Sequence, residues 1–473
     1  GKLYMKKKRI KLDVNNMFAE KVGKEHGIEK DSIQEYHDKI EKIHKKLIKS
    51  RDEGNIGFMK LPYQSKELID EIKREAEKLR GEFENFVVIG IGGSALGNIA
   101  LQTALNPPYY NLDQKKRGEG PRLFVLDNSD PVKIRALLES LDLDKTIFNV
   151  ITKSGSTAET MSQFLIARKA VEDAVGEENL ARHFIATTSR NSGYLKKIAD
   201  REGFKTFYIP ENVGGRFSVL TPVGLIAAAF CGIDIEVLLE GARDMDQRCS
   251  ETDIWENPAY LNGLLHYLAY QKGKNMSVMM PYSNNLKDIA DWYRQLWAES
   301  LGKENNRDGH KVNVGPTPIK ALGATDQHSQ VQLYMEGPYD KIVTFIEVED
   351  YKVEALIPES YQDISGVNYL GGHSLNELID TEKKATELAL TKRNRLNETI
   401  ILPEINEYTV GQLLYMLELQ TAFIGELFNI NAFNQPGVEL GKNYTYGVLG
   451  REGYEEKSNE FNDREEKDDN LIL

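Results

Sequence analysis

Cysteine is scarce: this chain of 473 residues has two, Cys231 and Cys249. Two cysteines build no disulfide framework, and Cys231 lies in an apolar run, so it reads as a buried thiol in a reducing compartment. A basic excess is also missing. The 60 Lys and Arg against 73 Asp and Glu leave a net charge of −13. That excludes a general nucleic-acid binder, which needs a basic face for the phosphates. A small anionic substrate is still allowed, because local cations and backbone N–H groups decide its binding. Nor is there an uninterrupted apolar stretch of the roughly 18–20 residues that a membrane span requires. The longest apolar run, Val219 to Ile233, is broken by Thr221, Pro222 and Gly224 and predicts a buried helix. Lys6, Lys7, Lys8 and Arg9 are not followed by an apolar segment of signal-peptide length. Met5 reads as the native first residue with Gly1 to Tyr4 added ahead of it, and a cytoplasmic protein is expected. No closely spaced His, Cys or carboxylate set of metal-ligand type stands out, so catalysis without metal is expected.

What is present is ordinary globular material, 40% hydrophobic and 28% charged, in a chain long enough for about two or three domains. Ser32 to Asp52 and Ser65 to Arg80 space Ile and Leu as helices do, which predicts a helical lead-in over 1–80. Short β-rich runs follow at Phe86–Ile91, Leu123–Asp127, Phe148–Thr152, Phe184–Thr187 and Phe207–Ile209, separated by helix-like stretches. Strands that are apolar throughout and alternate with helices predict a parallel sheet covered on both faces. A second α/β unit is expected over 251–450, after a first over 81–250. Its strands are read at Met276–Met280, Val331–Tyr334, Ile342–Ile346 and Thr399–Leu402, and its helices at Asp288–Ser300, Leu375–Lys392 and Val410–Phe428. The acidic stretch after 450 reads as a solvated or partly disordered tail over 451–473.

Six segments carry chemistry. Gly90-Ile-Gly-Gly93-Ser94-Ala95-Leu-Gly97 sits where a buried strand gives way to a helix, a place where backbone N–H groups approach an anion. The segment also satisfies a dinucleotide fingerprint, with Asp127 as the ribose-binding acid. Asp127, however, lies more than thirty residues on, against the roughly twenty that such a fingerprint wants. A tight turn without ligand is the bland alternative. The second segment, Thr152-Lys153-Ser154-Gly155-Ser156-Thr157, opens another helix with four hydroxyls and a lysine. One hydroxyl suffices for a helix cap; four suit a phosphomonoester. A dehydrogenase has no use for a second phosphate cradle here, whereas a sugar phosphate does.

The other four are weaker singly. Gly214-Gly215-Arg216 aims a permanent cation after a backbone that allows close approach, although alone it would read as a surface turn. Gln295 and Glu299 are four apart on one helix and share a face. Bulky neighbours such as Trp297 are expected to desolvate Glu299 and suit it to general-base work, against the commoner reading of a solvated surface charge. Ala324-Thr-Asp-Gln-His328-Ser329 and Phe433-Asn-Gln435-Pro-Gly-Val-Glu-Leu-Gly-Lys442 add an acid/base pair and donors for hydroxyls.

Taken together and in this order, from about Phe86 to Leu449, the segments resemble the glucose-6-phosphate isomerase family, of the compact bacterial kind. The stretches Gly323–Leu333, Phe433–Lys442 and Glu299-Ser-Leu-Gly-Lys303 carry the resemblance most specifically. Departures are Ser154-Gly155-Ser156 where animal members have Thr-Phe-Thr, Leu301 where many have Asn, and Pro436 in place of an aromatic. The resemblance implies an α/β fold of two sugar-isomerase domains, each a mainly parallel sheet flanked by helices. It also implies a homodimer without cofactor, acting in glycolysis and gluconeogenesis. By similarity, Ser94 with Thr152, Lys153, Ser154 and Thr157 holds the 6-phosphate, and Gly93 is a further substrate-binding residue. Glu299 carries a proton between C2 and C1 through a cis-enediolate, whose oxygen is stabilised by Arg216 and the Gly215 backbone. Gln295 and Gln435 position hydroxyls. His328, supplied by the partner subunit, and Lys442 open the ring. Competing readings are another sugar-phosphate isomerase of the same fold, a sugar-phosphate sensor without chemistry, and an NAD enzyme. A pure sensor has no reason to keep Glu299, His328 and Lys442 together.

Overall fold

The computed structural model describes residues 7–473, so the expected start at Met5 lies outside the described residues. The lead-in is helical as its spacing implies, with helices His37–Asp52 and Lys66–Leu79 burying Ile40, Ile43, Leu47, Ile69 and Ile72. The strands are β1 (Lys11–Asp13), β2 (Asn85–Ile89), β3 (Arg122–Leu126), β4 (Thr146–Ile151), β5 (Phe184–Thr188), β6 (Lys205–Tyr208), β7 (Met276–Pro281), β8 (Lys303–Asn305), β9 (Lys311–Val314), β10 (Thr317–Lys320), β11 (Lys341–Asp350) and β12 (Asn397–Glu404). The first sheet has the order β3-β2-β4-β5-β6, every pair parallel. Its central strands β2, β4 and β5 are buried along their whole length, which is why they read as continuous apolar runs without alternation. The second sheet, β1-β12-β11-β7-β10, is parallel except for β1. The fold is therefore the expected α/β class of two mainly parallel sheets flanked by helices.

One expectation about elements is corrected, and four strands, β1, β8, β9 and β10, add to those read from the sequence. Val331–Tyr334 is not a strand: Val331–Glu336 is a helix. Val331, Tyr334 and Met335 recur at the i, i+3, i+4 spacing of a helix and pack together against Val343 and Phe345. A short apolar run reads equally well as strand or helix, and here the packing chose the helix. β1 is absent from the sequence reading, because three residues of mixed polarity carry no strand signal; it exists by pairing Lys11 with Ile401. The run Val219–Ile233 holds the helix Pro222–Phe230, buried at every position. Cys231 and Cys249 are both free and buried.

Residues 433–473 form a second compact unit, with the rest of the chain as the first. It is a pair of helices, Glu439–Val448 and Glu455–Asn462. Gly447 lets them meet, since a Cβ there would lie 2.6 Å from the Ser458 nitrogen. Arg451 lies over the rings of Tyr446 and Tyr454, at 4.5 and 5.0 Å. The acidic stretch thus includes a helix with no buried residue.

Candidate active site

The site begins where β2 ends. Gly92–Ser94 makes one tight turn before the helix Leu96–Leu105, and Gly215–Phe217 makes another. The two turns touch backbone to backbone: a Cβ on Gly93 would sit 2.1 Å from the Gly215 carbonyl carbon. Any side chain at 93 would force the turns apart, so this glycine is required by close approach. The Ser218 hydroxyl, bonded at 2.6 Å to the Gly215 carbonyl, steadies the second turn.

Arg216, placed by that turn, is buried with a side-chain exposure of 2%. Its three nitrogens each have a different partner: Nε donates to Ser300 Oγ at 2.8 Å, Nη1 to Glu299 Oε2 at 3.3 Å, and Nη2 to the Ala432 carbonyl at 2.6 Å. Burial lowers its pKa, and Glu299 opposes the shift; arginine nonetheless keeps its charge. A fixed, dry cation thus lies beside a carboxylate. Glu299 comes from the helix Lys287–Leu301 and keeps 35% of its side chain exposed. The expected desolvation by Trp297 is corrected here. Trp297 packs on the core side, its ring 5.2 Å from Tyr293 and 5.4 Å from His266, and two residues on a helix turn by about 200°. Glu299 therefore faces the opening, oriented by Arg216 and not enclosed by Trp297. Gln295 shares that face. Its Nε2 would lie 3.2 Å from a Cβ on Gly92, and its Oε1 is buried without a partner. A buried acceptor of this kind is costly unless a donor arrives, and a substrate hydroxyl is one.

Sequence alone does not single out Lys303, although it closes the Glu299-Ser-Leu-Gly-Lys motif. It is buried, donates to the carbonyls of Glu299 and Ser300, and caps the end of the helix that carries Glu299. Burial first, then the Arg216 charge, push its pKa down to about 8. The spacing of four from Glu299 was the available signal; its burial was not legible.

The hydroxyl-rich turn follows β4 and opens the helix Ala158–Val175, whose N-terminal residue Thr157 makes no side-chain capping bond. Thr152 and Thr157 hydroxyls meet at 3.0 Å, and Thr152 Oγ1 accepts from the Gly155 N–H, which closes the loop. Gly155 (φ 72°) is pressed against the next loop: a Cβ there would be 2.2 Å from the Leu195 nitrogen. Ser154 is exposed, Ser94 and Thr157 are partly exposed, and Thr152 is buried. Lys153 has partners within the chain. Its ammonium donates to the carbonyls of Glu211 and Val213 at 2.6 and 3.2 Å, tying the hydroxyl loop to the segment that leads into Gly214–Arg216.

His328 ends the turn Thr325–His328 and is exposed. Asp326 builds that turn by accepting from the Leu322 N–H at 2.7 Å and the Ser329 hydroxyl at 2.6 Å. No hydrogen bond or ion pair among the described residues ties His328 to Arg216 or Glu299. Gln435 and Lys442 belong to the unit 433–473, where both are exposed and Lys442 lies 3.9 Å from Glu439. The structure thus brings together Gly93, Gly215, Arg216, Gln295 and Glu299, and forms the hydroxyl loop; among the described residues no hydrogen bond or ion pair joins His328 to them. One metal-type trio, unremarked in the sequence, does exist among the described residues: His37, Asp38 and Glu41, on the surface of a lead-in helix.

Two mainly parallel sheets, a hydroxyl-rich turn at a helix start, and a buried arginine on a carboxylate suit an α/β enzyme that handles a small phosphorylated substrate by acid–base chemistry. Comparison with known proteins gives the family. The model of the phosphoglucose isomerase family matches residues 59–467, and the chain belongs to that family. It is 53% identical over 452 residues to a glucose-6-phosphate isomerase of Carboxydothermus hydrogenoformans, covering 95% of this chain and 97% of that one. A glucose-6-phosphate isomerase of Rubrobacter xylanophilus is 45% identical over 400 residues, covering 84% and 90%. Among solved structures, a hypothetical protein of Thermus thermophilus superposes with a TM-score of 0.82 at 37% identity, covering 93% of this chain and 100% of that one. A glucose-6-phosphate isomerase from Chlamydia trachomatis superposes with a TM-score of 0.72 at 25% identity, covering 84% and 76%. Among the described residues no helix is long and apolar enough to cross a membrane.

Proposed function

We propose that the protein interconverts glucose 6-phosphate and fructose 6-phosphate by ring opening and proton transfer. The observation that carries this reading is the Glu299 carboxylate 3.3 Å from the buried Arg216 guanidinium, with the Gly93 and Gly215 backbones packed beside them. A carbon acid next to a carbonyl needs a positioned base, and the cis-enediolate that forms needs a preorganised cation for its oxygen. Glu299 is the base that moves the proton between C2 and C1, and Arg216 with the Gly215 N–H holds the oxyanion. Gln295 Oε1 accepts from a sugar hydroxyl. Ser94, Ser154 and Thr157 receive the 6-phosphate on the start of the helix Ala158–Val175. Thr152 closes that loop, and Lys153 adds its charge from the carbonyls that anchor it. Roles for Gln435 in positioning hydroxyls, and for His328 and Lys442 in ring opening, rest on the family resemblance. So does a homodimer in which the partner supplies His328. A cytoplasmic setting rests on composition, and sugar-isomerase domains over 81–250 and 251–450, between a lead-in of 1–80 and a tail of 451–473, rest on residue spacing together with the resemblance. A coupled assay of glucose 6-phosphate formed from fructose 6-phosphate tests the activity; no turnover by the pure protein would end the proposal.

The phosphate assignment is tested by Ser154→Ala with Thr157→Ala. Each lost bond to a charged partner is worth about 1.5–3 kcal/mol, so affinity for phosphorylated sugars should fall by roughly 10²-fold or more. Fructose and glucose without phosphate should bind as before. Equal weakening of both classes would mean that the loop is only structural.

The ring-opening assignment is tested by mixing variants. His328→Ala should slow turnover of the cyclic substrate and leave affinity for an acyclic phosphorylated acid, a mimic of the enediolate, nearly intact. Hetero-dimers pairing His328→Ala with Glu299→Gln subunits should regain one complete site and measurable activity. Absence of recovery after demonstrated subunit exchange would place His328 in its own subunit's site or outside it.

A further inference from the structure

A cluster of cations lies outside this site, where β7, β11 and β12 begin side by side. Lys341 is the first residue of β11 and pairs with Met276, the first of β7; Val343 pairs with Asn397, the first of β12. Lys274 and Arg395 precede β7 and β12 and are 5% and 8% exposed. With Tyr334, Tyr339 and Lys341 they line a cavity of about 10 Å³. Tyr334 packs with Val278 on one face of the sheet. The helix carrying Glu299 is on the other face, since its Tyr293 bonds Ser277, the neighbour of Val278. The cluster is thus separate from the catalytic pair.

Cations outnumber carboxylates there: Glu25, which also acts on Lys274, lies 3.9 Å from His26 Nε2 with its side chain 88% exposed. Lys341 pairs with Asp340 at 2.6 Å. Lys274 and Arg395 make no ion pair with a carboxylate among the described residues. Lys274 has the Nδ1 of His26 at 2.8 Å, and Arg395 Nη1 donates to the Pro338 carbonyl at 3.0 Å. The Arg395 guanidinium also stacks 3.6 Å from the Tyr339 ring centre, and the His26 ring stacks on the same residue at 4.0 Å. Two further donors, Arg395 Nε and the Tyr334 hydroxyl, are buried with no partner. Burial first, then Lys272, lowers the Lys274 pKa, and burial followed by Lys274 lowers that of His26.

Cations often sit at helix C-termini, and Lys274 and Arg395 do follow the helices Pro258–Gln271 and Leu375–Lys392. That explains their position in sequence. It explains neither why a lysine is almost wholly buried on an imidazole, nor why two residues lining the same small space each bury a donor without a partner, which costs free energy unless an acceptor is present.

We propose that this pocket is a structural anion site, in which Lys274, Arg395 and the Tyr334 hydroxyl hold one halide-sized anion, chloride in the cell. The volume admits about one water-sized body, which excludes a sugar phosphate. Bound there, the anion ties the starts of β7 and β12 to the segment that carries His26.

The test uses the full chain. The thermal unfolding midpoint should rise saturably with sodium chloride, by roughly 2 °C or more, and not with sodium methanesulfonate at equal ionic strength. Tyr334→Phe, which keeps the ring and removes the donor, should weaken the apparent chloride affinity at least threefold. Lys274→Met should abolish the saturable component. Turnover should be unchanged in both variants. Crystals grown in bromide should show an anomalous peak between Lys274 and Arg395. Equal response to both salts, a chloride response that survives in Tyr334→Phe unchanged, or bromide absent from this cavity would each overturn the assignment. Should Lys274→Met not fold, Tyr334→Phe and the bromide peak still decide it.

Discussion

Glu299→Gln is expected to lower kcat by about 10²–10⁴, the range for loss of a positioned general base, with little change in substrate affinity. The amide matches the carboxylate in size and can still accept from Arg216 Nη1, 3.3 Å away in the native pair, so the site should keep its shape. What is lost is the ability to take the C2 proton. Solvent deuterium should therefore cease to enter the sugar at the same rate as turnover falls. That measurement separates a missing base from a damaged fold, since a damaged fold would lower both activity and affinity. Persistent exchange at C2 in this variant would mean that another residue is the base.

Arg216→Met should cost about as much, by a different route. Removing a donor aimed at a developing oxyanion costs about 10²–10³ in kcat. Here the same change also strands three groups that Arg216 satisfies: the Ser300 hydroxyl, the Glu299 carboxylate and the Ala432 carbonyl. Breaking a fully buried pair costs about 3–5 kcal/mol of stability. Glu299 keeps 35% exposure, and solvent screening brings the expected loss below that range. Arg216→Lys restores the charge but reaches fewer partners, so stability should recover more than activity. The distinguishing measurement is affinity for the acyclic enediolate mimic. It should fall by about 10² or more in Arg216→Met, while inorganic phosphate should bind as before. Equal loss of both ligands would show that Arg216 only holds the turn, and that the oxyanion is met elsewhere.

Much of this site was legible because its residues are contiguous. The Thr152–Thr157 turn lies within one strand–helix junction, and Gln295 and Glu299 lie one turn apart on one helix. The buried strands of both sheets also stood out, since burial on both faces leaves an apolar run in the sequence. Lys153 shows where this ended. Its residue type suits phosphate, but that its ammonium also bonds two carbonyls some sixty residues away could not be read from its neighbours. Trp297 is near Glu299 in sequence and so suggests a wall for the base's pocket, while the helix turns it into the core.

By itself, then, the sequence determined the α/β class with mainly parallel sheets, the order of the six segments and the hydroxyl-rich turn, because each depends on periodicity or on neighbours within a few residues. Tertiary structure decided which charges meet. The Arg216–Glu299 pair joins positions far apart in the chain through the backbone contact of Gly93 with Gly215. Lys303 became a buried cation at the end of the catalytic helix only through packing, and Lys274 and Arg395 share one pocket only because β7 and β12 both flank β11. Coulomb energy and desolvation depend on distance in space and on burial. Neither quantity is local in sequence.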